Sequence, residues 1–154
     1  VMNSYNANFV TSFPIMTSIP DGCRLHLITD ERHVPHLRPG EWVVLDATPV
    51  DRLDDVDWGE VYLLRQRGGD KLWCVRKETE EQRNQRVDKS GICVWLRPLD
   101  NCRSYDEVME RLDVGAPVHM SDGPLIGKYL PPMIVGKVVG LYEARAVALI
   151  EASS

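Results

Sequence analysis

Apolar and polar residues alternate along several short segments of the chain, and this alternation predicts a mainly β protein. Residues 24–29 (RLHLIT) carry an apolar side chain at every second position, as expected of a half-buried strand. Further β-prone runs are found at residues 41–46, 59–67, 71–76, 91–97 and 134–141. Gly68, Gly69 and Asp70 separate two of these runs, so we predict a β-hairpin there.

One segment has helical periodicity instead. Between residues 104 and 114 apolar side chains recur at three- and four-residue intervals, and Ser104 with Glu107 forms a capping-box pattern. The charged run 78–89 has no apolar face and is predicted to be a solvated loop or a single helical turn. Short strands joined by turns, together with one helix, favour a folded sheet or barrel.

Length and composition restrict the class of protein further. The chain has 154 residues, 44% of them hydrophobic and 27% charged, which is typical of one globular domain with its own core. A formal net charge of −5 argues against a uniformly basic nucleic-acid-binding surface. No apolar run reaches the ~20 residues of a membrane span, and residues 1–8 lack a secretory pattern, so we expect a cytoplasmic protein without a membrane partner.

Two groups of residues suggest chemistry at first sight. The chain has four cysteines, and no two of them form a CxxC pair. A zinc site also requires a characteristic spacing of its ligands, which is not found in the group Cys23, His26, His33 and His36. We therefore predict unpaired cytosolic thiols, with no metal and no cofactor. The tryptophans of two strands, Trp42 and Trp95, have apolar neighbours and are expected to pack in the core rather than to stack on nucleic-acid bases.

Three segments, taken in order, resemble the C-terminal domain of LexA and phage repressors. This family of self-cleaving serine–lysine peptidases also includes the mutagenesis protein UmuD. Residues 33–46 are similar to the family's proline-containing run that leads into a hydrophobic strand, with Pro35, Leu37, Gly40 and Glu41 at matching spacing. Residues 58–77 are similar to its strand, hairpin and returning strand, and residues 134–141 to its closing Ile-x-Gly-Lys-Val-Val-Gly strand.

The resemblance covers residues 24–142 and implies a mainly β, LexA-like peptidase domain. On this interpretation residues 1–23 form an N-terminal arm, residues 24–154 form the domain, and the helix near 104–114 is an insertion. The resemblance also implies a homodimer, for which we expect residues 134–141 to supply an edge strand.

The resemblance places arginines at the two catalytic positions of the family. Arg32 stands in the place of the nucleophilic serine, followed by His33, and Arg76 stands in the place of the general-base lysine, followed by Lys77. A guanidinium has no nucleophilic oxygen and stays protonated, because its pKa lies far above neutral pH. A single β-bulge would bring Lys77 into the base position without restoring the serine. We therefore predict a pseudo-peptidase with no catalytic residues, in which these four side chains are candidates for binding.

The resemblance and the missing catalytic residues therefore predict a domain that serves dimerisation and regulation of a transcriptional repressor of phage or related bacterial type. We expect DNA to be contacted through a domain absent from this chain. Two alternatives remain open. One is a stand-alone module that binds a host or regulatory protein. The other is a hydrolase with Cys74 or Ser90 as its nucleophile, for which Arg76 is expected to lower the pKa of Cys74. If Arg32 and Arg76 share one cleft, their guanidinium groups are suited to grip a carboxylate.

Overall fold

The computed structural model describes residues 13–34, 36–99, 105–116 and 121–143, and the predicted mainly β fold is confirmed. The strands are β1 Ile15–Met16, β2 Cys23–Leu27, β3 Trp42–Asp46, β4 Val61–Gln66, β5 Gly69–Lys77, β6 Cys93–Arg97, β7 Asp122–Ile126 and β8 Ile134–Tyr142. The helices are α1 Glu80–Gln85, α2 Tyr105–Asp113 and α3 Leu130–Met133, with 3-10 turns at Leu53–Asp55 and Gly127–Tyr129.

All eight strands of the described residues belong to one sheet. Its order is β2-β3-β8-β4-β5-β6-β7, every neighbouring pair in this order is antiparallel, and β1 runs parallel to the end of β8. The expectation that residues 134–141 form an edge strand for dimerisation is therefore wrong. β8 pairs with β3 on one side and with β4 and β1 on the other, and its long apolar run is typical of such an interior strand.

Apolar side chains cover both faces of the central strands. On β5, Leu72 and Cys74 belong to one buried cluster and Trp73 and Val75 to a second, because successive side chains of a strand point to opposite faces. We name these two sides the Cys74 face and the Trp73 face. The cluster on the Cys74 face contains Ile28, Leu37, Val43, Leu45, Val61, Leu63, Leu99 and Val138 as its other buried members. The cluster on the Trp73 face contains Val56, Tyr62, Leu64, Val94, Leu96 and Leu130.

The local predictions agree with the structure at most elements. The β4–β5 hairpin is confirmed, with Gln66 opposite Gly69 at its end, and α2 confirms the predicted helix, although Ser104 lies outside the described residues. The charged run contains the predicted helical turn, α1, which begins at a capping box formed by Thr79 and Gln82. Because this box satisfies backbone groups at the first turn, so short a helix is stabilised without an apolar face.

The strand β7 was not predicted from the sequence, and the expectation that Trp42 packs in the core is wrong. β7 contains the pair Gly123–Pro124, which by composition indicates a turn, but a proline is tolerated in a strand at the edge of a sheet. Trp42 is 40% exposed rather than part of the core. Its neighbours Val43, Val44 and Leu45 fill the two interior faces at this point of β3, while Trp42 lies at the beginning of the strand.

Candidate functional site

The side chains of Cys74 and Arg76 lie on the same face of β5, since they are two residues apart. In the pairing of β5 with β6, Arg97 is opposite Cys74 and Trp95 is opposite Arg76. Directly opposed residues of antiparallel strands point to the same side of the sheet. The register therefore gathers a thiol, two guanidinium groups and an indole, and we name the four residues Cys74, Arg76, Trp95 and Arg97 the basic face.

Gly59 borders the basic face. Its carbonyl oxygen accepts a hydrogen bond from the Cys74 thiol, with Sγ at 3.3 Å, and its backbone nitrogen donates to the carbonyl of Val75 at 2.8 Å. Gly59 has a φ of +91°, a backbone conformation that favours glycine. A Cβ at this position would lie 3.8 Å from Nη1 of Arg76, an ordinary van der Waals distance, so the guanidinium lies near Gly59 without crowding it.

The Cys74 thiol is not an activated nucleophile. Burial raises its pKa to about 11, and this effect exceeds the opposing influence of the Arg76 and Arg97 charges. The expectation that Arg76 lowers the pKa of Cys74 is therefore wrong in its net direction. At neutral pH the sulfur carries its proton, and the thiolate required for nucleophilic attack is scarcely populated.

Arg32 lies elsewhere. Its guanidinium carbon stands 3.9 Å from the centre of the Trp73 ring, and Trp73 in turn donates from Nε1 to Oε1 of Gln66 at 2.8 Å. Trp73 belongs to the opposite face of β5 from Arg76. The structure therefore places Arg32 and Arg76 on opposite faces of the sheet. Arg76 belongs to β5, and Arg32 contacts Trp73 of the same strand.

The other two candidate binding residues are also separated. His33 is buried in the loop between β2 and β3, with Nε2 3.9 Å from Oδ1 of Asp30. Lys77 is exposed at the end of β5, where the strand alternation puts it on the same side as Trp73 and Val75. Arg97 was missed by sequence reasoning, because nothing local to β6 shows that it pairs with Cys74.

Sequence reasoning also missed a second polar region, which surrounds Asp57 and Lys137. An open cavity of ≈ 270 Å³ is lined by Asp46, Thr48, Pro49, Val50, Asp55, Asp57, Tyr62 and Lys137. Lys137 forms an ion pair of 2.8 Å with Asp57, and this partner raises the pKa of Lys137. Hydrogen bonds from Thr48 hold the pKa of Asp46 below its usual range. The sequence signal was the acidic stretch 54–57, which follows Asp46 after a short loop. Lys137 comes from the interior strand β8, which is distant in sequence.

The described residues contain no group of three or more histidine, cysteine or acidic side chains arranged to hold a metal ion. Within the same ranges, no helix is long and apolar enough to cross a membrane. Comparisons with known protein families, with curated proteins and with solved structures found no match for this chain. Its function is therefore inferred from its own residues.

Proposed function

We propose that this chain is a non-catalytic, LexA-like regulatory domain that acts by holding protein subunits together. The observation that carries the proposal is the chemical state of three side chains. Arg32 and Arg76, which the resemblance places at the nucleophile and base positions, carry guanidinium groups and lie on opposite faces of the sheet, and Cys74 beside Arg76 is protonated. None of the three is able to take up or release a proton readily at neutral pH.

The arrangement of the family-like segments supports the LexA-like part of the proposal. The run that ends in β3, the β4–β5 hairpin and the closing strand β8 are far apart in sequence. In the sheet they form one block of four adjacent strands, in the order β3-β8-β4-β5. Segments that match a family pattern in sequence are expected to be neighbours if they build a common core, and here they are.

For the subunit contact we propose the edge of the sheet at β7. Ile126 and Tyr129, at the end of this strand and in the turn after it, are 53% and 52% exposed. β7 pairs with β6 on one side and with no other strand of the described residues. An edge strand with large exposed apolar side chains is a common surface for pairing between copies, and a two-fold contact would use the same residues from both subunits.

The cleavage test uses the whole chain. It is incubated at alkaline pH, and separately with the activated recombinase filament that triggers cleavage in LexA relatives, while an active LexA protein in the same tube serves as the control. We expect the control to be cut and this chain to keep its full mass. A fragment that accumulates with time would contradict the proposal.

The exposed face of α2 favours a second candidate, a stand-alone module that binds another protein. Met109 and Leu112 of this helix are exposed, and so is Val114 directly after it. Sedimentation equilibrium of the purified chain distinguishes the candidates. A dimer supports the regulatory domain, whereas a monomer throughout the concentration range leaves the interaction module as the better description.

A further inference from the structure

We infer that the cavity beside Asp57 and Lys137 binds an arginine residue of a partner peptide through its guanidinium group. This role goes beyond subunit association. The cavity is lined by residues of β3, β8 and β4 in the middle of the sheet, whereas the proposed subunit contact uses the edge strand β7. Binding at the cavity therefore applies equally to a monomer and to a dimer.

Three of the lining residues form a row across adjacent strands. Asp46 of β3 and Tyr62 of β4 are both paired with Lys137 of β8, one on each side of it. Directly opposed residues of antiparallel strands point to the same side of the sheet, and Tyr62 belongs to the Trp73 face. The sheet register therefore brings a carboxylate, an ammonium group and a phenol to one cavity on that face.

The loop between β3 and β4 is fixed to this row at both of its ends. Thr48 donates to Oδ1 of Asp46 twice, from its backbone nitrogen at 3.0 Å and from Oγ1 at 2.7 Å. The backbone nitrogen of Asp57 donates to Oη of Tyr62 at 2.9 Å. Because the loop is held in place before any ligand arrives, less conformational entropy is lost on binding. The loop supplies the remaining lining residues, Pro49, Val50 and Asp55 among them.

The lining has an excess of negative charge. It contains three aspartates and one lysine, which gives a formal charge of −2. Lys137 donates to Oδ2 of Asp57 at 2.8 Å, so the charges of these two groups are matched. Asp46 and Asp55 form no ion pair with any other residue that the structure describes. A cationic ligand would offset the excess charge, whereas an anion would be repelled.

The size and composition of the cavity favour a single guanidinium group. The volume of ≈ 270 Å³ lies just below the range of about 300–1,000 Å³ in which drug-sized molecules bind, so one side chain is a suitable ligand. A guanidinium has five N–H donors in one plane, enough to contact two separate carboxylates. It is also more weakly hydrated than an ammonium group, which favours contact with the apolar surfaces of Pro49 and Val50.

Tyr62 indicates a peptide rather than a free cation. Only 1% of this residue is exposed, and its Oη accepts from Asp57 but donates to no group within the described ranges. A buried hydroxyl whose proton lacks an acceptor is unusual in a folded protein. A guanidinium has no acceptor atom to offer. The backbone carbonyl of a bound peptide would accept the Tyr62 proton while the arginine side chain contacts the carboxylates.

Titration of the full chain in about 0.15 M salt, followed by the chemical shifts of its backbone amides, tests the site with matched ligands. Acetyl-Gly-Arg-Gly-amide is compared with the same peptide carrying citrulline, which keeps the shape of arginine without its charge. The corresponding lysine peptide and methylguanidinium are the further probes. We expect the arginine peptide to bind about tenfold more tightly than the citrulline peptide, and more tightly than either further probe.

Substitutions then assign the contacts. Asp55→Asn removes one lining charge and is expected to weaken binding of the arginine peptide about three- to fivefold. Asp51→Asn, an exposed position of the same loop outside the lining, is the matched control and should leave binding nearly unchanged. Tyr62→Phe should weaken binding of the peptide and leave that of methylguanidinium unchanged.

Thermal unfolding of each variant shows whether the fold is kept. The Asp55 side chain forms no hydrogen bond within the part of the chain that the structure describes, so we expect Asp55→Asn to remain folded. If Tyr62→Phe unfolds, the wild-type chain provides a test without substitution. The largest amide shifts on addition of the arginine peptide are then expected in residues 46–62 and at Lys137.

Equal binding of the arginine and citrulline peptides, equal losses in Asp55→Asn and Asp51→Asn, or amide shifts confined to other strands would each overturn the inference. Binding of the lysine peptide as tight as that of the arginine peptide would contradict the preference for guanidinium. Binding of methylguanidinium as tight as that of the peptide would contradict the role of Tyr62. Sedimentation of the same samples keeps the two proposals apart, since arginine binding by a monomer supports the site while the subunit proposal fails.

Discussion

The guanidinium of Arg32 stacks on the indole of Trp73 with 3.9 Å between the guanidinium carbon and the ring centre, and this contact attaches the loop before β3 to the β4–β5 hairpin. The Trp73 nitrogen is held by Gln66 from the other strand of the hairpin, so the ring has a fixed position under the cation. A cation over an indole that is largely desolvated contributes about 1–2 kcal/mol.

We therefore expect Arg32→Ala to lower the free energy of unfolding by about 1 kcal/mol, measured by urea denaturation. Arg32→Lys should retain part of this contribution, since an ammonium group also interacts with the ring. Arg38→Ala, at an exposed position of the same loop, is the control and should change stability little. A loss no greater than that of the control would show that the stacked contact is not stabilising.

The raised pKa of Cys74 predicts a pH-dependent loss of stability. The folded protein holds this thiol proton more tightly than the unfolded chain does, with a pKa of about 11 against a reference value of 9.0. The resulting stabilisation is complete below pH 9 and disappears as the pH rises towards 11. Comparison of urea unfolding for wild type and Cys74→Ala separates the contribution of the Cys74 thiol to the free energy of unfolding from that of other groups that titrate in the same pH range. We expect the stability difference to shrink by on the order of 2 kcal/mol between these pH values.

The same burial predicts the order in which thiols react. Cys23 lies at a partly exposed position at the beginning of β2, whereas Cys74 and Cys93 are buried. Iodoacetamide at pH 8 should modify Cys23 well before Cys74, and mass spectrometry of the digested protein reports the site. Preferential labelling of Cys74 would instead support the alternative hypothesis of a hydrolase with Cys74 as its nucleophile.

The ion pair between Glu78 and Arg86 predicts a sensitive point on the charged run after β5. The Glu78 side chain is only 4% exposed, and its Oε1 accepts from Nη2 of Arg86 at 2.7 Å. Removal of one partner leaves the other charge desolvated, so Glu78→Gln should lower the melting temperature by several degrees. Glu81→Gln, an exposed position in α1, is the control in the same calorimetric measurement and should have almost no effect.

The proposed subunit contact at β7 predicts an effect of a single charge. Ile126→Lys places an ammonium group on the exposed edge and should shift a dimer towards the monomer by at least about tenfold in dissociation constant, measured by sedimentation equilibrium. Ile15→Lys, equally exposed but located on β1, is the control. If Ile126→Lys remains as dimeric as the wild type and the Ile15→Lys control, the contact does not involve β7.

Local patterns were sufficient for most of the elements. The alternation in residues 24–29 and the Gly68-Gly69-Asp70 connector indicated β2 and the hairpin, because strand periodicity and turn chemistry depend on neighbouring residues. α2 was found for the same reason. The strand with Gly123 and Pro124 was missed, since its stability depends on pairing with β6 and not on its own composition.

The candidate site depended much more on tertiary structure. The sequence by itself determined which charges and thiols are present, and that the arginines at positions 32 and 76 cannot do serine–lysine chemistry. Only the folded sheet decided that Arg76 lies with Arg97 beside Cys74, and that Arg32 contacts Trp73 from the other face. Strand partners and depth of burial are set by residues distant in sequence. For this reason even the direction of the Cys74 pKa shift was decided by the packing around it.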